Sequence, residues 1–130
     1  MVLEVIRGRF PFDALKSKIL EVKARYQNSN LLIEESPISY GLIQAIRQKG
    51  YNVVKIRPNS DKQARLIAQS DLFAGGSILL PQKAAWLQEF EAELLAFPGR
   101  YDDQVDALTQ GLAWARHRPR VHTYGILGMY

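Results

Sequence analysis

The chain has no cysteine, which excludes both a disulfide framework and a thiolate zinc site. No apolar run approaches the ~20 residues that a membrane-crossing helix needs, and the N-terminus lacks the apolar core of a secretory signal. The pattern GxxxxGK[ST] is absent, so no ATP-binding loop of that kind is encoded. Nor does any serine sit in a nucleophile context. The histidines, His117 and His122, lie in a tail without regular patterning and carry no metal-ligand signal. Internal repeats, low-complexity tracts and linkers are missing as well. These absences leave an intracellular protein, read as a single domain over 1–130, with 117–130 its least regular part.

At 130 residues the chain can build one real core and is too short for two. Its 47% apolar and 23% charged residues are ordinary for a globular protein. A net charge of +4, from 17 basic and 13 acidic residues, suits a polyanionic partner without requiring one. The basic residues are grouped: Arg7 with Arg9; Arg47, Lys49, Lys55 and Arg57; and Arg116, His117, Arg118 and Arg120.

Hydrophobic spacing predicts strands at Val2–Ile6, Leu31–Glu34, Val53–Ile56 and Ser77–Leu80. A helix starts near Pro11, with Phe12, Leu15, Ile19, Val22 and Tyr26 on one face. A second starts at Ser36-Pro37, carries Ile38, Leu42, Ile43 and Ile46, and stops at Gly50. A third is capped by Asn59 or Ser60, with Ala64, Ile67, Ala68 and Leu72 inward and Gly75-Gly76 at its end. A fourth runs from Lys83 to Leu95. The last begins at Asp102, with Val105, Leu108, Leu112 and Ala115 inward. Leu31–Glu34 is continuously apolar up to Glu34, as in a parallel strand buried on both faces. Strand and helix alternation predicts a parallel α/β sheet covered by helices, with sites beyond the carboxyl ends of the strands. Glu34 lies at such an end.

The densest chemistry is Tyr101-Asp102-Asp103-Gln104-Val105-Asp106, which puts three carboxylates into one helical turn. Asp102 can serve as an N-cap and Asp103 can favour the helix dipole. Neither role accounts for Asp106. Asp103 and Asp106, three apart, share a face and can reach one ion; Asp102 and Asp106 form a second pair, four apart. Glu34 and Glu35 point to opposite sides of their strand, and Glu34, directly after Ile33, is the better candidate ligand. Hard divalent ions want such oxygens, and two of them about 4 Å apart can drive phosphodiester cleavage. Lys62 and Arg65, at a helix start, could hold a DNA phosphate, although such residues are commonly just exposed. Trp86 and Trp114 read as core or partner-facing.

Taken in order, Val5-Ile6-Arg7-Gly8-Arg9, Leu32-Ile33-Glu34-Glu35, Gly41-Leu42-Ile43-Gln44, Asp61-Lys62 with Arg65, Leu80-Pro81 with Trp86-Leu87, Glu93-Leu94-Leu95-Ala96-Phe97-Pro98 and Tyr101 to Leu108 form a recognisable series. Over residues 2 to 116 the chain resembles the C-terminal nuclease domain of phage large terminase subunits. The resemblance implies an RNase H-like three-layer α/β fold with a mostly parallel central sheet. It implies an endonuclease that cuts double-stranded DNA during packaging, using two Mg²⁺ or Mn²⁺ ions. The family's acidic residue after its buried strand falls on Glu34, and its last-helix cluster on Asp102, Asp103 and Asp106. Of these, Asp103 and Asp106 best match the metal-holding positions. Partners would be double-stranded DNA and other phage packaging proteins, and the location the cytoplasm of a bacterial host.

Two departures matter. Tyr101 stands where the family usually has histidine. The family's first two strands, the first bearing an aspartate central to the metal site, have no counterpart here. Val2–Ile6 would then lack its neighbour and Leu31–Glu34 would keep an open edge. Three outcomes follow: Val2–Ile6 slides into the vacant place, two chains pair as a homodimer, or another polypeptide supplies the strands. The homodimer is the favoured expectation. Function stays open between an active or impaired endonuclease and a non-catalytic prophage remnant that binds DNA or a packaging partner. An unrelated RNase H-like junction or repair nuclease is less attractive, because of the LLAFP and DDQVDAL segments.

Overall fold

β-Branched residues and a glycine-terminated run set the first strand, β1 (Val2–Gly8), which reaches past the expected Ile6. In the computed structural model, which describes residues 1–58, 61–118 and 124–129 (the last six as backbone), strands and helices alternate as expected only as far as β3. α1 (Phe12–Arg25), β2 (Leu31–Glu34), α2 (Ser39–Gln48) and β3 (Val53–Ile56) follow β1. Then come α3 (Lys62–Ile67), α4 (Ser70–Ala74), α5 (Leu87–Ala96), α6 (Asp103–Arg116) and β4 (Tyr124–Met129).

The chain divides into two compact units, Arg9–Asn59 on its own and Met1–Gly8 together with Ser60–Tyr130. In the first, β2 and β3 pair in parallel from Leu31↔Val53 to Glu34↔Ile56, with α2 as the crossover. The Glu35 amide donates to the Ile56 carbonyl at 2.8 Å and extends the ladder by one bond. Ile19, Ile33, Leu42, Ile43, Ile46 and Val53 are the buried apolar residues of this unit. Leu31 and Leu32 are only partly buried, contrary to the expectation of a strand covered on both faces. The described sheet here has two strands, too few to bury both of its faces.

Helix α2 starts three residues later than expected. Ser36 and Ser39 close a turn on each other, the Ser36 amide donating to Ser39 Oγ at 2.8 Å and the Ser39 amide to Ser36 Oγ at 3.1 Å. That turn uses up residues 36–38. Gly50, at φ 87°, ends the helix in a conformation that a side chain would strain.

In the second unit, β1 pairs in parallel with β4, so the C-terminal segment supplies the neighbour that the sequence left open. Val2 faces Tyr124 and Val5 faces Ile126, an extra residue in β1 at that point. The irregularity explains why Val2 and Val5, three apart, are both buried. They meet Phe90, Leu108 and Leu112 in one core, flanked by Leu72, Phe73, Ile78, Leu80, Trp86 and Ala107. Trp86 meets Phe90 edge to face with ring centroids 5.8 Å apart, in line with its core reading.

The helices and the loop after β3 also differ from expectation. The single helix expected before Gly75-Gly76 is broken into α3 and α4. At the break, Arg116 donates to the Ala68 carbonyl at 2.7 Å and pairs with Asp71. Its cap is Asp61, whose side chain accepts from the Ala64 amide at 2.8 Å; Asn59 and Ser60 lie outside the described residues. Ser77–Leu80 does not form a strand, although the Leu79 carbonyl accepts from the Val2 amide at 2.8 Å. Helix α5 begins at Leu87 rather than Lys83, after a turn closed by Leu87 N–H on the Ala84 carbonyl.

The outcome is a mixed α/β chain with parallel strand pairing.

Candidate functional site

The first turn of α6 is held from two sides. From α5, Glu93 turns a buried carboxylate onto it: one oxygen accepts from the Val105 amide at 3.0 Å and the other from the Gln104 side-chain amide. The open amides of a helix N-terminus want such an acceptor. Asp102, at the N-cap position, makes no side-chain cap. It turns to α3 instead, where Lys62 Nζ lies 2.8 Å away.

Lys62 also lies 3.9 Å from Asp106. Arg65, one turn on, places its guanidinium directly on Asp106 and its Nε 3.2 Å from Thr109 Oγ1. Thr109 in turn donates to the Asp106 carbonyl at 2.9 Å. Lys62 and Arg65 are three apart and therefore sit on one face of α3, aligned with Asp102 and Asp106 on α6. The two residues expected to meet a DNA phosphate are thus placed against the acidic cluster.

Electrostatics differ among the carboxylates. Asp103 is pushed above the usual aspartate value, mainly by burial; the Lys62 ammonium opposes this, while Asp102, Glu93 and Asp106 add to it. Lys62 is raised above the usual lysine value, chiefly by its hydrogen bond to Asp102, with burial working against the shift. A carboxylate whose charge is disfavoured by burial and by neighbouring carboxylates is a place where added positive charge is favourable.

Glu34 ends β2 in the unit Arg9–Asn59, whereas Asp102, Asp103 and Asp106 belong to the other unit. Glu35 is engaged by Lys55 at 3.0 Å and Arg57 at 3.8 Å.

No family model matches this chain, and neither does any curated protein or solved structure. The resemblance to the terminase nucleases therefore stands on the motifs quoted above. The donor set of the α6 turn, carboxylate oxygens, is right in kind for Mg²⁺ or Mn²⁺. Its arrangement is not: among the described residues no group of three or more Asp, Glu or His side chains converges to hold an ion. Asp102 and Asp106 are instead neutralised by α3.

Sequence reasoning missed Glu93, Gln104 and Thr109. Glu93 follows the core residue Phe90 by three positions and so shares its face, which was the available signal.

Proposed function

We propose that this chain is a nuclease domain of the phage terminase kind, acting on double-stranded DNA with Mg²⁺ or Mn²⁺, for which Asp103 and Asp106 are the candidate ligands of the α6 turn. Asp102 belongs to the same ligand group. The observation that carries the reading is the crowding of Asp102, Asp103 and Asp106 at the N-cap and first turn of α6, oxygen donors of the kind a hard cation takes. Two such ions, when bound, supply an activated water and a stabilised leaving oxygen. The protein's own share is to fix the α6 turn through Glu93 and to present Glu34 at a strand end. Other packaging proteins are the expected partners, and the cytoplasm of a bacterial host the expected location. No described helix is long and apolar enough to cross a membrane. Each described sheet has two strands, and pairing of sheet edges in a homodimer is part of the proposal.

A second reading, a non-catalytic prophage remnant that binds DNA or a packaging partner, draws on the pairing of Asp102 and Asp106 with Lys62 and Arg65. Nicking of supercoiled plasmid separates the two. The nuclease reading expects Mg²⁺- or Mn²⁺-dependent nicking that is lost in both Asp103→Ala and Glu34→Ala. No nicking, or nicking that survives both substitutions, sinks it; retained DNA binding would then leave the second reading.

A further inference from the structure

Lys62 and Arg65 are committed to the α6 carboxylates, so positive charge for a polyanion must come from elsewhere in the chain. That charge is divided unequally. The unit Arg9–Asn59 holds nine Lys and Arg against four Asp and Glu, a net +5, whereas the other unit holds eight against nine, a net −1. Within the basic unit, the start of α2 is an exposed apolar and aromatic face. Ile38 is 82% and Tyr40 55% exposed, and the exposed Phe12 ring lies against Gly41, where a Cβ would meet it at 3.7 Å. Ile38 and Gly41, three apart, share a side of the helix. Cations border this face. The Lys55 ammonium lies 5.9 Å from the Tyr40 ring centroid, and Glu35 gathers Lys55 and Arg57 at 3.0 and 3.8 Å, with the Arg57 side chain 93% exposed.

We propose that this face binds single-stranded nucleic acid, with unpaired bases on Tyr40 and Phe12 and the adjoining phosphates on Lys55 and Arg57. Contiguous exposed apolar side chains mark an interaction surface, and the charge of the unit selects a polyanion as the occupant. Aromatic rings interleaved with cations suit a single strand, because stacking needs the face of a base and a duplex keeps those faces inside its own stack. Two copies meeting at this face would instead bring two units of net +5 together, which self-repulsion opposes. Glu35 is a positioning residue here: one carboxylate under two cations keeps them beside the ring and leaves one positive charge over. The inference goes beyond the nuclease reading and uses none of the α6 carboxylates.

The test is fluorescence anisotropy of a labelled oligothymidylate with the full chain, in EDTA so that no cleavage intervenes. The unmutated chain should bind the single strand several-fold more tightly than a duplex of equal length. Tyr40→Ala should weaken binding about tenfold, the order of one lost stacking contact, and Tyr40→Phe should retain it. Arg57→Gln should make the fall of log affinity with log salt shallower by about 0.7, as for one phosphate contact on a single strand. Lys83→Gln, an exposed cation of the other unit, should leave that slope unchanged. Equal affinity for single strand and duplex, or a Tyr40→Ala chain that binds like wild type, overturns the proposal. So does polyglutamate, which has the charge without the bases, if it displaces the label as well as unlabelled oligothymidylate does. Sedimentation of a dimer that Ile38→Ser separates, with no oligonucleotide bound by either protein, overturns it in favour of a second copy on this face. Metal-dependent plasmid nicking is read separately, so each of these outcomes leaves the nuclease reading standing.

Discussion

At the scale of single residues, Arg65 and Lys62 make contrasting predictions from the same helix face. Arg65→Leu leaves the Asp106 carboxylate buried without its guanidinium, and removing one partner of a buried pair costs about 3–5 kcal/mol. Lys62→Met should cost less than Arg65→Leu, because the Lys62 side chain is 39% exposed and water can reach its place beside Asp102. Urea denaturation of the two variants checks the contrast, and a larger loss for Lys62→Met would contradict it. Asp103 adds a pH signature. Its folded-state value is raised, so the folded chain holds this proton more tightly than the unfolded chain does. Its contribution is fully present below the ordinary aspartate value and is lost as pH rises through the folded value. Asp103→Asn should therefore remove this fall in stability and leave the chain more stable than wild type near neutrality, read as denaturation midpoints across a pH series. A less stable Asn variant at neutral pH would argue against a disfavoured charge at this position.

Between elements, Glu93 carries the strongest expectation. Glu93→Ala deprives the Val105 amide and the Gln104 side chain of their acceptor, and an unsatisfied buried donor costs about 1–3 kcal/mol. Glu93→Gln keeps an acceptor for Val105 and should lose less. Thermal melts followed by circular dichroism rank the two variants, and equal losses would show that the acceptor is not what matters. The same contact marks the limit of legibility. Strands β2 and β3 were readable to the residue, since short β-branched and apolar runs bounded by polar turns leave few alternatives. The inward residues Val105, Leu108 and Leu112 of α6 were readable from their period. What was not readable depends on partners distant in the chain. Arg116 meets α3 and α4 at their break, Glu93 serves α6 from α5, and β4 gives β1 its neighbour. For the site, the acidic turn was evident in the sequence, but its pairing with Lys62 and Arg65 was not, because a separation of about 40 positions leaves no periodic trace.

For the whole molecule, the two compact units imply separable stabilities. Removing residues 119–130 takes away the partner of β1, so hydrogen exchange should rise at the amides of β1 while Glu35, bonded to Ile56, keeps its protection. Uniform loss of protection in both units would contradict that separation. The central claim concerns the α6 turn, and anomalous X-ray diffraction from crystals of the chain soaked in Mn²⁺ tests it most directly. The account predicts an anomalous peak within bonding distance of the Asp103 and Asp106 carboxylates. A turn without a peak at saturating Mn²⁺ would contradict it.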